Sequence, residues 1–146
     1  MMQGRIAEGQ RTIKANSTEI QRCDNLLLRY LDKLFRAGML LSIGLGGEGK
    51  ASPNKLALRD LVLVLCVKPF ALGWAERLLK ECEACPLWQD GGVFQAQVQL
   101  GLGRIHKARR RIDLARQCLQ TAKRYAEAEG APTIAKRADE ALAGLH

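Results

Sequence analysis

Aromatic side chains make up only 5% of this 146-residue sequence, so its core has to be built mostly from Leu, Ala, Ile and Val. Leu and Ala lose little side-chain entropy in a helix, and such a composition suits helix packing. Histidine is nearly missing. His106 and His146 are the only two, and neither has a motif-level nucleophile or carboxylate beside it, so no catalytic triad or dyad takes shape and no enzyme is expected. Long apolar runs are missing too: Met39–Leu45, interrupted by Ser42, and Leu61–Val67 are the longest, about a third of the roughly 20 residues that a membrane-spanning helix needs. No secretory signal is evident. The five cysteines (Cys23, Cys66, Cys82, Cys85 and Cys118) are odd in number and several lie in apolar helical patterns. They are expected as reduced thiols of a soluble cytoplasmic protein with no membrane partner. The local shortage of acid is the most informative. Residues 104–124 hold eight basic residues and one acid, Asp113.

What is present is an ordinary globular balance, with 47% apolar and 26% charged residues, in a chain long enough to bury one core without disulfides or metal. A single helical domain over 1–146 is expected. The net charge of +8 is uneven: residues 1–60 and 106–146 each carry +4, and 61–105 carry none. Such a balance favours nucleic acid, acidic proteins or anionic surfaces as partners and says nothing of fold.

Hydrophobic spacing predicts an all-α chain of about six helices. Residues 1–15 are polar, with Gly4 and Gly9, and are expected to be frayed. Asn16 and Glu19 have capping-box spacing, and Ile20, Cys23, Leu27, Tyr30, Leu31 and Leu34 follow at helical intervals, predicting a helix over 17–37 stopped at Gly38. A glycine-rich loop covers 44–52. Ser52 and Pro53 read as the start of a helix ending before Pro69, although Leu61–Val67 would look the same as a buried strand. Pro69 opens a helix over 69–84 with Leu72, Ala75, Leu78, Leu79 and Cys82 inward, and Pro86 with Gly91 and Gly92 marks a turn. Helices from about 93 and over 113–128 follow, and Pro132 starts the last, running to Leu145.

In residues 93–145, Leu102-Gly103 on one helix is followed by Ala115, Leu119 and Ala122 on the next. Small residues at 103 and 115 let the two helices of a hairpin approach, and Leu119 plugs the gap against the next helix. This spacing resembles a tetratricopeptide-repeat hairpin, of the longer variety in which a glycine, here Gly130, follows the second helix. Ala75, Leu79 and Cys82 repeat the pattern 40 residues earlier, with Val62-Leu63 in place of Leu-Gly. The resemblance spans about 56–145 and implies helical hairpins with a capping helix and a role in protein–protein interaction. Departures are His106 for an aromatic, Gln99 for Trp, and Arg109-Arg110-Arg111 where Gly, Asn or Asp is expected in the turn. Because Arg is a good helix former, one unbroken helix over 93–129 is the alternative, and a generic helical bundle would share the Ala and Leu spacing.

Arg104, Lys107, Arg109, Arg110, Arg111, Arg116, Lys123 and Arg124 are the candidate binding residues. The apolar stripe Ile112, Ala115, Leu119, Ala122 and Ala126 turns inward, leaving these basic residues to share surface for phosphates or carboxylates. With Tyr125 the only aromatic nearby, contact with a nucleic-acid backbone is expected in preference to base reading. Gly44–Lys50 fits a phosphate-loop spacing after the apolar Met39–Ile43, but Ala51 stands where Ser or Thr would hold magnesium. Cys82 and Cys85 form a lone C-x-x-C without the second pair that structural zinc requires. No metal or cofactor is expected. The reading is an interaction or adaptor subunit of a larger assembly, bound to other protein subunits or an acidic partner through the basic helices. The alternative is a small helical subunit of a ribonucleoprotein, similar in type to the small subunits of CRISPR effector complexes and contacting single-stranded RNA or DNA through its backbone.

Overall fold

A computed structural model describes residues 26–46, 58–88 and 91–145. The segment 1–15, the Asn16–Glu19 pair, the Ser52–Pro53 helix start and the glycine stretch beyond Gly46 lie outside the described residues. Within them the chain forms five α-helices and no strand: α1 (Leu26–Gly44), α2 (Leu58–Glu83), α3 (Val93–Ala108), α4 (Ile112–Ala128) and α5 (Pro132–Ala143), with one 3-10 turn at Pro86–Trp88. Leu61–Val67 is therefore helical. Among the described residues no helix is long and apolar enough to cross a membrane.

Two predicted boundaries are corrected. Gly38 does not stop α1, which runs on to Gly44 with Ala37 and Leu41 buried one turn apart. An interior glycine costs about 1 kcal/mol, less than the burial of a leucine contributes. Pro69 does not separate two helices either; it lies inside α2. Cys66-Val67-Lys68 before it contains no turn former, so the chain tolerates the missing N–H instead of breaking. This merger makes five helices of the expected six. It also places Val62-Leu63 and Ala75-Leu79-Cys82 on one continuous helix, so they cannot be the two arms of an earlier hairpin.

The chain divides into two compact units, residues 1–75 and 76–146, with the boundary inside α2. In the first, α1 and α2 approach closely at Gly44: a Cβ built there would stand 2.7 Å from Leu72 Cδ2 and 3.4 Å from its backbone nitrogen. In the second, α3 is the central helix, with Ala96, Val98, Leu100, Leu102 and Ile105 all buried. An all-round buried helix needs cover on every side. The amphipathic α4 supplies part of it with Ala115, Leu119 and Ala122, and α5 closes over them with Ala138. Gly103 is the point of nearest approach, where a Cβ would stand 2.7 Å from both Cγ and Cδ2 of Leu119 and 3.3 Å from its backbone nitrogen. The closest distances at Gly44 and Gly103 are nearly the same. Each lets a leucine of the following helix reach the backbone of the preceding one.

Candidate functional site

Arg109, Arg110 and Arg111 form the corner between α3 and α4, and the backbone explains why a corner exists there. Arg109 ends α3, Arg110 takes φ 59°, and Arg111 precedes α4. The Arg110 amide donates to the Lys107 carbonyl at 3.0 Å and the Arg111 amide to the His106 carbonyl at 2.9 Å. This pairing is a Schellman motif, the usual helix stop, with arginine at the left-handed position that glycine normally takes. The same motif ends α4. There Gly130 has φ 65°, its amide donates to Glu127 at 3.3 Å, and the Ala131 amide donates to Ala126 at 2.8 Å. The unbroken helix over 93–129 is thus ruled out. Arginine in this conformation carries a penalty of roughly 1–2 kcal/mol that glycine escapes.

The eight basic residues do not act as one free patch. Arg109 donates to Glu76, which also pairs with Lys80 at 3.1 Å. Lys107 donates to the Ala141 carbonyl at 3.3 Å, placing a cation in the last turn of α5, where the helix dipole favours it. Lys123 donates to Asp139 at 2.8 Å and lies 3.8 Å from Glu127. Arg116 faces the exposed Asp113 at 3.7 Å, a contact too loose and wet to hold it strongly. Arg124 lies 5.3 Å over the ring of Tyr125, and that ring packs against Gly91. Arg104 is half-buried and not free. The side chains of Arg110 and Arg111 are exposed and have no hydrogen-bond or ion-pair partner among the described residues.

No protein-family model, curated protein or solved structure matches this chain.

Beneath the corner lies a polar cluster that sequence spacing could not reveal. His106 is 7% exposed, and its Nδ1 has no hydrogen-bond partner among the described residues. Burial holds its imidazole below the ordinary value of 6.5; Glu76 pulls the other way, and Arg111, Lys80 and Arg109 add to the lowering. Burial alone would raise the Glu76 carboxyl, but hydrogen bonds from Lys80 and Arg109 outweigh it and hold it below 4.5. Further along α3, Gln99 donates to Glu83 at 2.7 Å. Glu76 lies 33 residues from Arg109 in sequence, and no local pattern announces such a partner.

The remaining motifs find structural places. Met39–Ile43, the would-be strand of a phosphate loop, is helical. Cys82 and Cys85 are fully buried and form no disulfide among the described residues, and among the described residues no three His, Cys, Asp or Glu side chains gather as a metal site would require. In the first unit, Phe70 and Trp74 are exposed by 60% and 52% and stack on each other with centroids 6.0 Å apart. Sequence periodicity counts both as ordinary helix residues and missed them as a surface feature.

Proposed function

We propose that this protein is a non-enzymatic interaction subunit that captures an acidic or anionic partner at the Arg110–Arg111 corner, using a tetratricopeptide-like α3–α4 hairpin as its support. The observation that carries the reading is the occupancy of Arg110. A strained, left-handed turn position holds an exposed arginine whose side chain makes no hydrogen bond or ion pair among the described residues, and backbone strain kept at such a position is a mark of functional use. Arg111 beside it adds a second free guanidinium, and Arg116 and Arg124 are held loosely enough to join. The hairpin reading is supported by the Gly103–Leu119 approach, by the burial of Ala115, Leu119 and Ala122, and by the matching approach at Gly44.

The test is titration with a sulfated polysaccharide as a generic polyanion, beside an acidic polypeptide and single-stranded RNA, at two salt concentrations. Binding should weaken with salt, as counterion release requires. Arg110→Glu with Arg111→Glu should abolish it while the helical circular-dichroism spectrum is kept. Retained binding in that folded variant would refute the corner as the site.

One observation favours the ribonucleoprotein alternative. The stacked, exposed Phe70–Trp74 pair has the form of a platform for unpaired bases. If RNA binds, Trp74→Ala should weaken it while leaving the polysaccharide affinity unchanged.

A further inference from the structure

We infer that anion capture at the α3–α4 corner is coupled to protonation of the buried His106, so that mild acid tightens binding and a bound anion in turn favours the imidazolium. This inference rests on the proposed corner site and adds its regulation.

The corner and the histidine share atoms. The Arg111 amide, next after the left-handed Arg110, donates to the His106 carbonyl itself at 2.9 Å. The imidazole is 7% exposed, with Nδ1 buried and without a hydrogen-bond partner among the described residues. Four charged groups face it: Glu76 and Lys80 from the C-terminal part of α2, and Arg109 and Arg111 from the turn. Three are cations and one is an anion. The single carboxylate is shared, since Glu76 already accepts from Arg109 and from Lys80 at 3.1 Å. A proton on His106 therefore enters a neighbourhood short of negative charge.

A partner anion on Arg110 and Arg111 would supply the missing charge. It offsets the field of Arg111 that opposes the imidazolium, and it competes with Glu76 for Arg109, freeing that carboxylate to face His106. Nδ1 becomes a donor when protonated, which gives the unpartnered buried atom a use. Binding linkage is reciprocal. Whatever factor the anion adds to proton affinity, the proton adds to anion affinity. Histidine is the side chain whose charge changes between pH 5 and 8, and His106 and His146 are the only ones here.

The experiment measures affinity for a sulfated polysaccharide, whose charge does not titrate in this range, from pH 7.5 to 5.5 in the wild-type chain and in His106→Phe. The wild type should bind at least about fivefold tighter at pH 5.5, and His106→Phe should lose that gain while its affinity at pH 7.5 is unchanged. His106→Gln gives the same comparison should the Phe variant fail to fold. A second readout follows the imidazole signal of His106 by NMR, assigned by its loss in the variant. Its titration midpoint should rise when the polysaccharide is added. Equal pH profiles in wild type and variant, or a midpoint unmoved by the polysaccharide, would overturn the coupling and leave the corner site standing. Absence of polysaccharide binding at every pH would refute the corner site and the coupling together.

Discussion

Replacing Gly103 by Ala sets two effects of known sign against each other. In an exposed helix the change should stabilise, because glycine is about 1 kcal/mol worse than alanine in a helix interior. At Gly103 the new methyl carbon would stand 2.7 Å from Cγ and Cδ2 of Leu119, far inside van der Waals contact. Leu119 is fully buried, and its backbone nitrogen, 3.3 Å away, is fixed in α4, so the leucine has nowhere to retreat. Overpacking of this kind costs about 1–3 kcal/mol. The repulsion should offset or exceed the gain, leaving Gly103→Ala less stable than wild type by up to about 2 kcal/mol once the propensity gain is subtracted. Gly38→Ala is the matched control. Gly38 lies inside α1 with nothing within 4 Å of a built Cβ, and the same substitution there should stabilise by about 1 kcal/mol. The assay is urea unfolding, read as the change in midpoint at unchanged slope. Adding Leu119→Ala should relieve the clash, so that Gly103→Ala costs less in that background, a coupling a double-mutant cycle can read. A Gly103→Ala protein stabilised by about 1 kcal/mol, as Gly38→Ala should be, would refute the close-approach account of the hairpin.

Three further outcomes are expected. Arg110→Gly removes the left-handed penalty at the turn and, after glycine's greater unfolded-state entropy, should stabilise by about 0.5–1 kcal/mol in the same urea assay, while weakening polyanion binding. Folded His106 holds its proton less firmly than the unfolded chain does, so the unfolded state takes up the extra proton and stability should fall as pH drops from about 6.5; Glu76 adds a second loss below about 4.5. His106→Phe should flatten the loss between pH 7 and 5, and an unchanged slope would remove His106 as its source. Burial, aided by Glu83, pushes the Cys118 thiol upward, whereas Cys66 is exposed, so a thiol-reactive dye at pH 8 should label Cys66 well before Cys118.

The second unit was legible in the sequence because its signals are local. Gly91-Gly92, Gly130 and Pro132 punctuate the chain at the helix ends, and the small residues at 103, 115 and 122 are buried, with Leu119 nearest to Gly103. Pro69 misled because the rule against helical proline is a cost, and no turn former stands before it to end the helix. Gly38 misled for the same reason. The candidate site was half legible. The run of cations is visible by inspection, but which cations remain free depends on Glu76, Asp139 and the Ala141 carbonyl. These reach Arg109, Lys123 and Lys107 from 33, 16 and 34 residues away. A charge count cannot tell a paired cation from a free one.

The Schellman bonds at Arg110 run from backbone amide to backbone carbonyl, so the Arg110 side chain takes no part in the helix stop. Every residue other than glycine meets a penalty at that φ, and exchanging arginine for lysine, glutamine or glutamate would leave the helix ends and the core as they are. The electric character of the tip is thereby uncoupled from the architecture beneath it. Selection can rewrite what this corner attracts, one codon at a time, without asking the fold to change.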